Sequence, residues 1–234
     1  MTHFKKYQLG LIYGILVIIS IIVIFPLFWL VVTSFKTYSE IYHFPLSYYP
    51  HQPTLEHYHK IMDLNFPRYF FNSILVGIGT MLIAIFIALL PAYAFARFHF
   101  SLKKPLLVSI LMTQMFPMVS FVIPLFRILK SFHLINTYTG IIISYLPFIS
   151  PVVVWILVNF FESVPVEFEE AAMVDGCTHI QAFGRIILPL ILPGLASTGI
   201  YVFLFAWAEL MFALTFLTSA SMQTVSVFLT LFVG

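Results

Sequence analysis

The sequence predicts an all-α, polytopic membrane helical bundle. Hydrophobic residues make up 61% of the 234 residues and charged residues only 9%, which is far from the composition of a soluble domain. The apolar residues fall into long runs, and about 20 such residues suffice for a helix to cross the hydrocarbon core. Because backbone polar groups in lipid must be paired within the protein, these runs are expected to be helices.

Five runs are long enough to predict complete spans. They are residues 9–32, 69–96, 105–129, 140–161 and 189–217. The third contains Pro117 and Pro124, which interrupt a helix. A further apolar segment, 225–233, would cover only ~13 Å of the ~30 Å core as a helix, so we expect a truncated sixth span.

Several function classes find no support in the residues. The net charge of +2 with no basic run gives no reason to expect a nucleic-acid partner. The chain has neither a phosphate-binding G-x-x-x-x-G-K-[ST] loop nor an H-E-x-x-H metal motif. Glu169 and Glu170 could begin the E-E-x-x-x-R motif of a membrane protease, but Val174 stands where the arginine is needed. We therefore expect a protein that is not an enzyme and binds no cofactor or metal.

One polar stretch, residues 162–195, separates the fourth and fifth runs. Pro165 suits the first turn of a helix, and the carboxylates that follow suit the positive end of the helix dipole. Gly176 provides a C-terminal stop that tolerates positive φ. Thr178 and Gln181 have the spacing of a capping box that opens a second helix. The stretch therefore predicts a helix, a glycine turn and another helix.

This stretch resembles the EAA loop of permease subunits of binding-protein-dependent ABC importers. The resemblance lies in Glu170-Ala171-Ala172, Gly176 after three residues, and 186–189 (IILP) after nine more. Other stretches resemble the carbohydrate-importing branch, in the manner of the second maltose or trehalose permease. These are FPRY at 66–69, NS at 72–73, AYAFAR at 92–97, QMFP at 114–117, NTY at 136–138, and 205–217.

The resemblance implies the transmembrane domain of a type I ABC importer. It would comprise residues 1–234 as one domain, with a permease core at 69–234 and a cytoplasmic coupling loop at 162–189. The implied partners are a second, homologous permease, two ABC ATPase subunits that bind ATP and Mg²⁺, an external solute-binding protein and membrane lipid. The cargo that the resemblance implies is a sugar, namely a di- or oligosaccharide. The alternatives are an importer of another solute, such as glycerol-3-phosphate or a polyol, and a shortened, non-transporting remnant.

The coupling loop carries the residues that the resemblance assigns to ATPase coupling. Ala171 and Ala172 would let the ATPase surface approach closely, and Glu170, with or without Glu169, would pair with a basic side chain there. An ordinary amphipathic connecting helix is the alternative. The full set is Glu169, Glu170, Ala171, Ala172, Asp175, Gly176, Ile186, Leu188 and Pro189.

A few polar and aromatic residues are candidates for the substrate pathway. Glu209 lies within the fifth run, where an ionisable side chain is costly and by default functional. Family members commonly have Trp-Asn-Glu here, whereas this chain has Trp207-Ala208-Glu209. A helix–helix contact is the alternative role for Glu209. The other candidates, for which packing is the alternative, are Tyr93, Gln114, Asn159 and Trp207.

The distribution of basic residues gives only a weak indication of orientation. With the N-terminus inside, six basic residues lie on inner segments and five on outer ones. The resemblance decides the matter, because it places the coupling loop in the cytoplasm. We therefore expect a multi-pass protein of the cell (inner or plasma) membrane with a cytoplasmic N-terminus.

Overall fold

The computed structural model describes the backbone of residues 2–232 and the side chains of residues 8–232. This part of the chain is helical and contains no β-strand. The chain divides between Asn65 and Phe66 into two compact units. Each unit is described by itself below.

The first unit is dominated by one long helix. Its helices are α1 (Thr2–Ser34), α2 (Tyr38–Ile41) and α3 (Glu56–Asp63). Residues Gln8–Ser34 are apolar and long enough to cross a membrane, and Pro26 lies inside α1. The predicted first span, 9–32, therefore lies within one helix.

The segment after α1 is held together by polar contacts. Lys36 is buried, and its ammonium lies 4.6 Å from the centroid of the Trp29 ring. The His57 ring is 2.8 Å from the Lys36 carbonyl oxygen, so this histidine has a structural partner. Glu40 accepts a hydrogen bond of 2.8 Å from the His51 N–H, and this bond lowers the pKa of the Glu40 carboxyl.

The second unit is a bundle built around three long helices. Its helices are α4 (Phe66–Arg97), α5 (Lys103–Met112), α6 (Val122–Ser131), α7 (Tyr138–Ser163), α8 (Glu167–Val174), α9 (His179–Ala182), α10 (Leu188–Leu190), α11 (Leu192–Ala208), α12 (Met211–Phe216) and α13 (Val225–Leu229). Helices α4, α7 and α11 pack on one another and form the centre. Short 3₁₀ turns occupy Thr113–Met115, Met118–Phe121 and Thr230–Phe232, and a π-helical turn occupies Phe183–Ile187.

Small residues permit the close packing of the central helices. Ala84, Ala88 and Ala92 recur every four residues on α4 and are fully buried. On α11, a Cβ added to Gly194 would lie 2.4 Å from the ring of Phe160 on α7. Interfaces of this kind are typical of membrane helices, where close van der Waals contact replaces the hydrophobic effect.

Two of the predicted spans are not single helices. Three described helices are long and apolar enough to span a membrane, and the count rises to five only if two bent pairs are each taken as one span. The run 105–129 bends by 85° between Met115 and Met118, where Pro117 disfavours helical backbone at the residue before it. Within the run 189–217, helix α11 ends at Ala208 and helix α12 begins at Met211.

In the part that the structure describes, the last apolar segment consists of one short helix and one 3₁₀ turn. Helix α13 covers Val225–Leu229, and a 3₁₀ turn follows at Thr230–Phe232. Val233, the last residue of the predicted 225–233 segment, lies outside the described residues.

Candidate functional site

Helix α8 forms the first limb of the coupling loop. It begins at Glu167 with three glutamates in its first turn, as the sequence predicts. Pro165 lies two residues before the helix and not inside its first turn, because Val166 is the N-cap residue. The carboxylates therefore lie where the helix dipole favours negative charge.

The turn after α8 has the predicted geometry. Gly176 has a φ of +90°, and its N–H donates to the Met173 carbonyl at 3.0 Å. The Cys177 N–H donates to the Ala172 carbonyl at 2.9 Å. A glycine in this conformation ends a helix without the steric cost that a Cβ would add. The predicted glycine stop is confirmed.

The second limb opens with the predicted capping box. The Thr178 hydroxyl accepts from the Gln181 N–H at 3.3 Å, and the Gln181 side chain accepts from the Thr178 N–H at 2.9 Å. The helix then passes through the π-helical turn, a distortion often found at functional positions, and bends by 70° into α11.

The residues of the second limb differ in exposure. Ile186 and Leu188 are half-buried and Pro189 is exposed. Ile187, which lies in the same stretch but is not in the predicted coupling set, is fully buried in the bundle core. This limb is therefore anchored in the same core as α4 and α7.

The two central glutamates of α8 have opposite environments. Glu169 is 5% exposed, forms an ion pair with Arg97, and accepts a hydrogen bond of 2.8 Å from the Tyr93 hydroxyl. Glu170 and Ala171 are exposed, whereas Ala172 is buried. Of the pairs Glu169–Glu170 and Ala171–Ala172, one member of each is thus available to a partner and the other packs inward. The remaining member of the predicted set, Asp175, is also exposed.

Arg97, at the end of α4, contacts two segments. Besides Glu169, its guanidinium donates to the carbonyl oxygen of Val164, just after α7, at 3.0 Å. Tyr93, one helical turn earlier, makes edge-on ring contacts with Phe161 and Phe183 at centroid distances of 5.6 and 4.8 Å. No role for Arg97 could be predicted from the sequence, because its partner Glu169 is distant in the chain.

Glu209 lies at the break between α11 and α12. One carboxylate oxygen accepts from the Phe212 N–H at 2.8 Å, and the other from the Ala213 N–H at 3.1 Å. The Tyr145 hydroxyl, fully buried on α7, donates to Glu209 at 2.7 Å. Both oxygens of this carboxylate are thus bonded within the chain, where they cap α12 and hold α7.

The other pathway candidates are dispersed. Gln114 is exposed in the 3₁₀ turn after α5, and Asn159 is exposed with its amide bonded to the Trp155 carbonyl of its own helix. Trp207 packs edge-on against Phe70 at 5.5 Å between ring centroids. Tyr93 lies against the coupling loop. No hydrogen bond or ring contact within residues 8–232 joins any two of the five candidates.

A network of hydrogen bonds that was not predicted from the sequence holds the loop 218–224. The Asn72 amide donates to two backbone carbonyls of this loop, at 2.8 and 3.1 Å, and accepts from the Tyr138 hydroxyl at 2.7 Å. The neighbouring Ser73 hydroxyl accepts from the Val225 N–H at 2.8 Å. Asn72 and Ser73 therefore fix the path of the chain into α13.

The bundle of long apolar helices with its helix–glycine–helix loop has the architecture that the resemblance implies for a transport subunit of the membrane. Residues 80–230 match the family of binding-protein-dependent transport system inner membrane components. The chain belongs to this family.

Its relatives include permeases of several transport systems. A sulfoquinovosyl glycerol permease of Agrobacterium fabrum is 37% identical over 90% of this chain and 74% of its own length. A trehalose/maltose permease of Thermococcus litoralis is 36% identical over 93% and 79%, and a diacetylchitobiose permease of Streptomyces coelicolor is 35% identical over 92% and 79%.

A solved structure shares the fold. It is a bacterial ABC transporter involved in the import of the acidic polysaccharide alginate, with a TM-score of 0.78 at 20% identity over 97% of this chain and 80% of that one. At this identity, the likeness concerns the fold alone.

Proposed function

We propose that this chain is the permease subunit of an ATP-driven importer that passes a sugar, a di- or oligosaccharide, across the membrane. The observation that carries the proposal is the coupling loop, in which α8 exposes Glu170 and Ala171 while Glu169 and Ala172 are buried. A short helix with one exposed acidic edge and one anchored face suits docking on another protein. The three permease relatives described above are all named for the transport of sugars or glycosides, which supports a sugar as the cargo.

The proposed complex contains four further proteins. A second, homologous permease pairs with this chain, two ABC ATPase subunits bind ATP and Mg²⁺, and an external binding protein delivers the sugar. This chain performs no chemistry of its own. ATP-driven closure of the ATPases moves the docked loop, and the bundle then alternates between inward-open and outward-open states.

The proposed topology has five spans followed by the apolar segment from Val225. The three continuous helices supply three spans, the bent pair Lys103–Met115 and Met118–Ser131 supplies another, and Leu192–Ala208 of the second bent pair supplies the fifth. The N-terminus and the coupling loop lie in the cytoplasm, where the ATPases have access to Glu170.

A charge reversal tests the docking. Glu170→Lys should abolish co-purification of the ATPase with the permease pair, because the basic partner would then face a like charge. Asp63→Lys, which makes the same charge change at an exposed position at the end of α3, is the matched control and should retain the ATPase. Full retention of the ATPase by Glu170→Lys would refute the docking assignment.

A further inference from the structure

A buried ion pair connects α8 to the end of α4. The side chains of Glu169 and Arg97 retain 6% and 10% of their exposure. Both carboxylate oxygens are used, one by Arg97 and the other by Tyr93. Because Tyr93 and Arg97 are four residues apart, they extend from the same face of α4 toward one carboxylate.

The presence of two buried charges between α8 and α4 requires a physical reason other than the stability that they contribute. Desolvating two charges is costly, and a buried pair is often no more stabilising than apolar residues of similar volume. Apolar contacts already hold the loop through Ala172 and Ile187. Such contacts are non-directional. Hydrogen-bonded charges, in contrast, fix both the separation and the rotation of the groups that they join.

Arg97 ties three segments together at one point. Its guanidinium reaches Glu169 of α8 and the Val164 carbonyl at the end of α7, while its backbone belongs to α4. Phe183 of the second limb packs on Tyr93 in the same cluster. If α8 moves, these contacts therefore pull directly on the ends of α4 and α7.

We propose that Arg97 and Glu169 are positioning residues that transmit the movement of α8 to the membrane helix α4. The inference rests on the proposed function, since it requires α8 to dock on the ATPase through Glu170. It assigns the two adjacent glutamates different tasks: Glu170 binds the partner, and Glu169 passes the partner's movement inward.

A second described ion pair, which joins the start of α5 to the end of α7, provides a control. Lys103 lies 3.0 Å from Glu162, but their side chains are 24% and 46% exposed. Exposed pairs contribute little because water screens them. Lys103→Gln should therefore leave the transmission intact.

The test uses the complete complex, with partner permease and ATPases, in lipid nanodiscs. Hydrogen–deuterium exchange is measured with and without Mg-ATP and vanadate in peptides covering residues 92–100 and 166–176. In the unmodified complex and in Lys103→Gln, both peptides should respond to the nucleotide. In Glu169→Gln, which preserves size but removes the charge, residues 166–176 should still respond, whereas the response of residues 92–100 should fall by roughly threefold or more.

An undiminished response of residues 92–100 in Glu169→Gln, with the ATPase bound, would overturn the inference. If that variant does not assemble, cysteines replace Arg97 and Glu169 in a Cys177→Ser background and are bridged by a short bis-maleimide. The bridged complex should recover the response of residues 92–100, and failure to recover would also overturn the inference.

Failure of the proposed function gives a different result. In that case, residues 166–176 of the unmodified complex would not respond to nucleotide, or Glu170→Lys would retain the ATPase. Neither outcome depends on the pair between Arg97 and Glu169.

Discussion

Truncating Glu209 to alanine should destabilise the bundle because three donors lose their acceptor. The fully buried Tyr145 hydroxyl would be left unpaired, at a cost of about 1–3 kcal/mol. The first turn of α12 would lose its bonds from Phe212 and Ala213, and the loss of a cap costs about 0.5–2 kcal/mol. The expected loss of stability is therefore about 1.5–5 kcal/mol.

Thermal unfolding of the purified permease in detergent measures this loss. For a chain of this size, 1 kcal/mol shifts Tm by about 2–4 °C, so Glu209→Ala should lower Tm by about 3–20 °C. Glu209→Gln keeps one acceptor oxygen and should lose less.

A double variant distinguishes the orphaned hydroxyl from general damage. Adding Tyr145→Phe to Glu209→Ala removes the unpaired hydroxyl, so the double variant should be more stable than Glu209→Ala alone. If the double variant loses as much stability as the Glu209→Ala and Tyr145→Phe single variants together, the reasoning is refuted. In transport, Glu209→Gln should leave the KM for the sugar unchanged, because both oxygens are bonded within the chain.

Three further substitutions test other parts of the bundle. Gly184→Ala is the shared control, because a Cβ added there meets nothing within 4 Å and the φ of Gly184 is not positive. Gly176→Ala should cost about 1–2 kcal/mol of unfolding free energy through its φ of +90°, and a neutral result would contradict the turn geometry. Gly194→Ala should cost about 1–3 kcal/mol through the clash with Phe160, and an unchanged Tm would show that the helices are less tightly packed. Asn72→Ala should increase protease cleavage within residues 218–224 by removing two hydrogen bonds to the loop, although Arg68 still donates to the Ser221 carbonyl, and unchanged cleavage would show that the loop is held elsewhere.

The local features of the coupling loop could be predicted because they depend on neighbouring residues. A positive φ at Gly176 and the capping box of Thr178 and Gln181 are set within a few positions of sequence. The first, second and fourth spans were also predictable, since each is a long apolar run that forms one helix. The position of Pro165 was wrong by two residues, which is the usual uncertainty of a helix end.

The long-range contacts could not be predicted from the same information. Nothing near Arg97 indicates that its partner is Glu169, 72 residues later, and the inward and outward directions of Glu169 and Glu170 depend on how α8 packs. Likewise, a carboxylate at position 209 suggests a functional site, yet packing turns it toward Tyr145 and the backbone of α12. Contacts of this kind depend on tertiary packing, which the neighbouring residues in the sequence do not reveal.

The most direct test of the central claim is uptake of radiolabelled sugar by proteoliposomes containing the complete complex. Trehalose, maltose and sulfoquinovosyl glycerol are supplied outside with the binding protein, and Mg-ATP is enclosed. We predict uptake of one of these sugars that requires Mg-ATP and disappears in Gly176→Asp, with insertion of that variant into the vesicles measured alongside. Uptake that is independent of ATP, uptake unaffected by Gly176→Asp, or uptake of none of the three sugars would contradict the account.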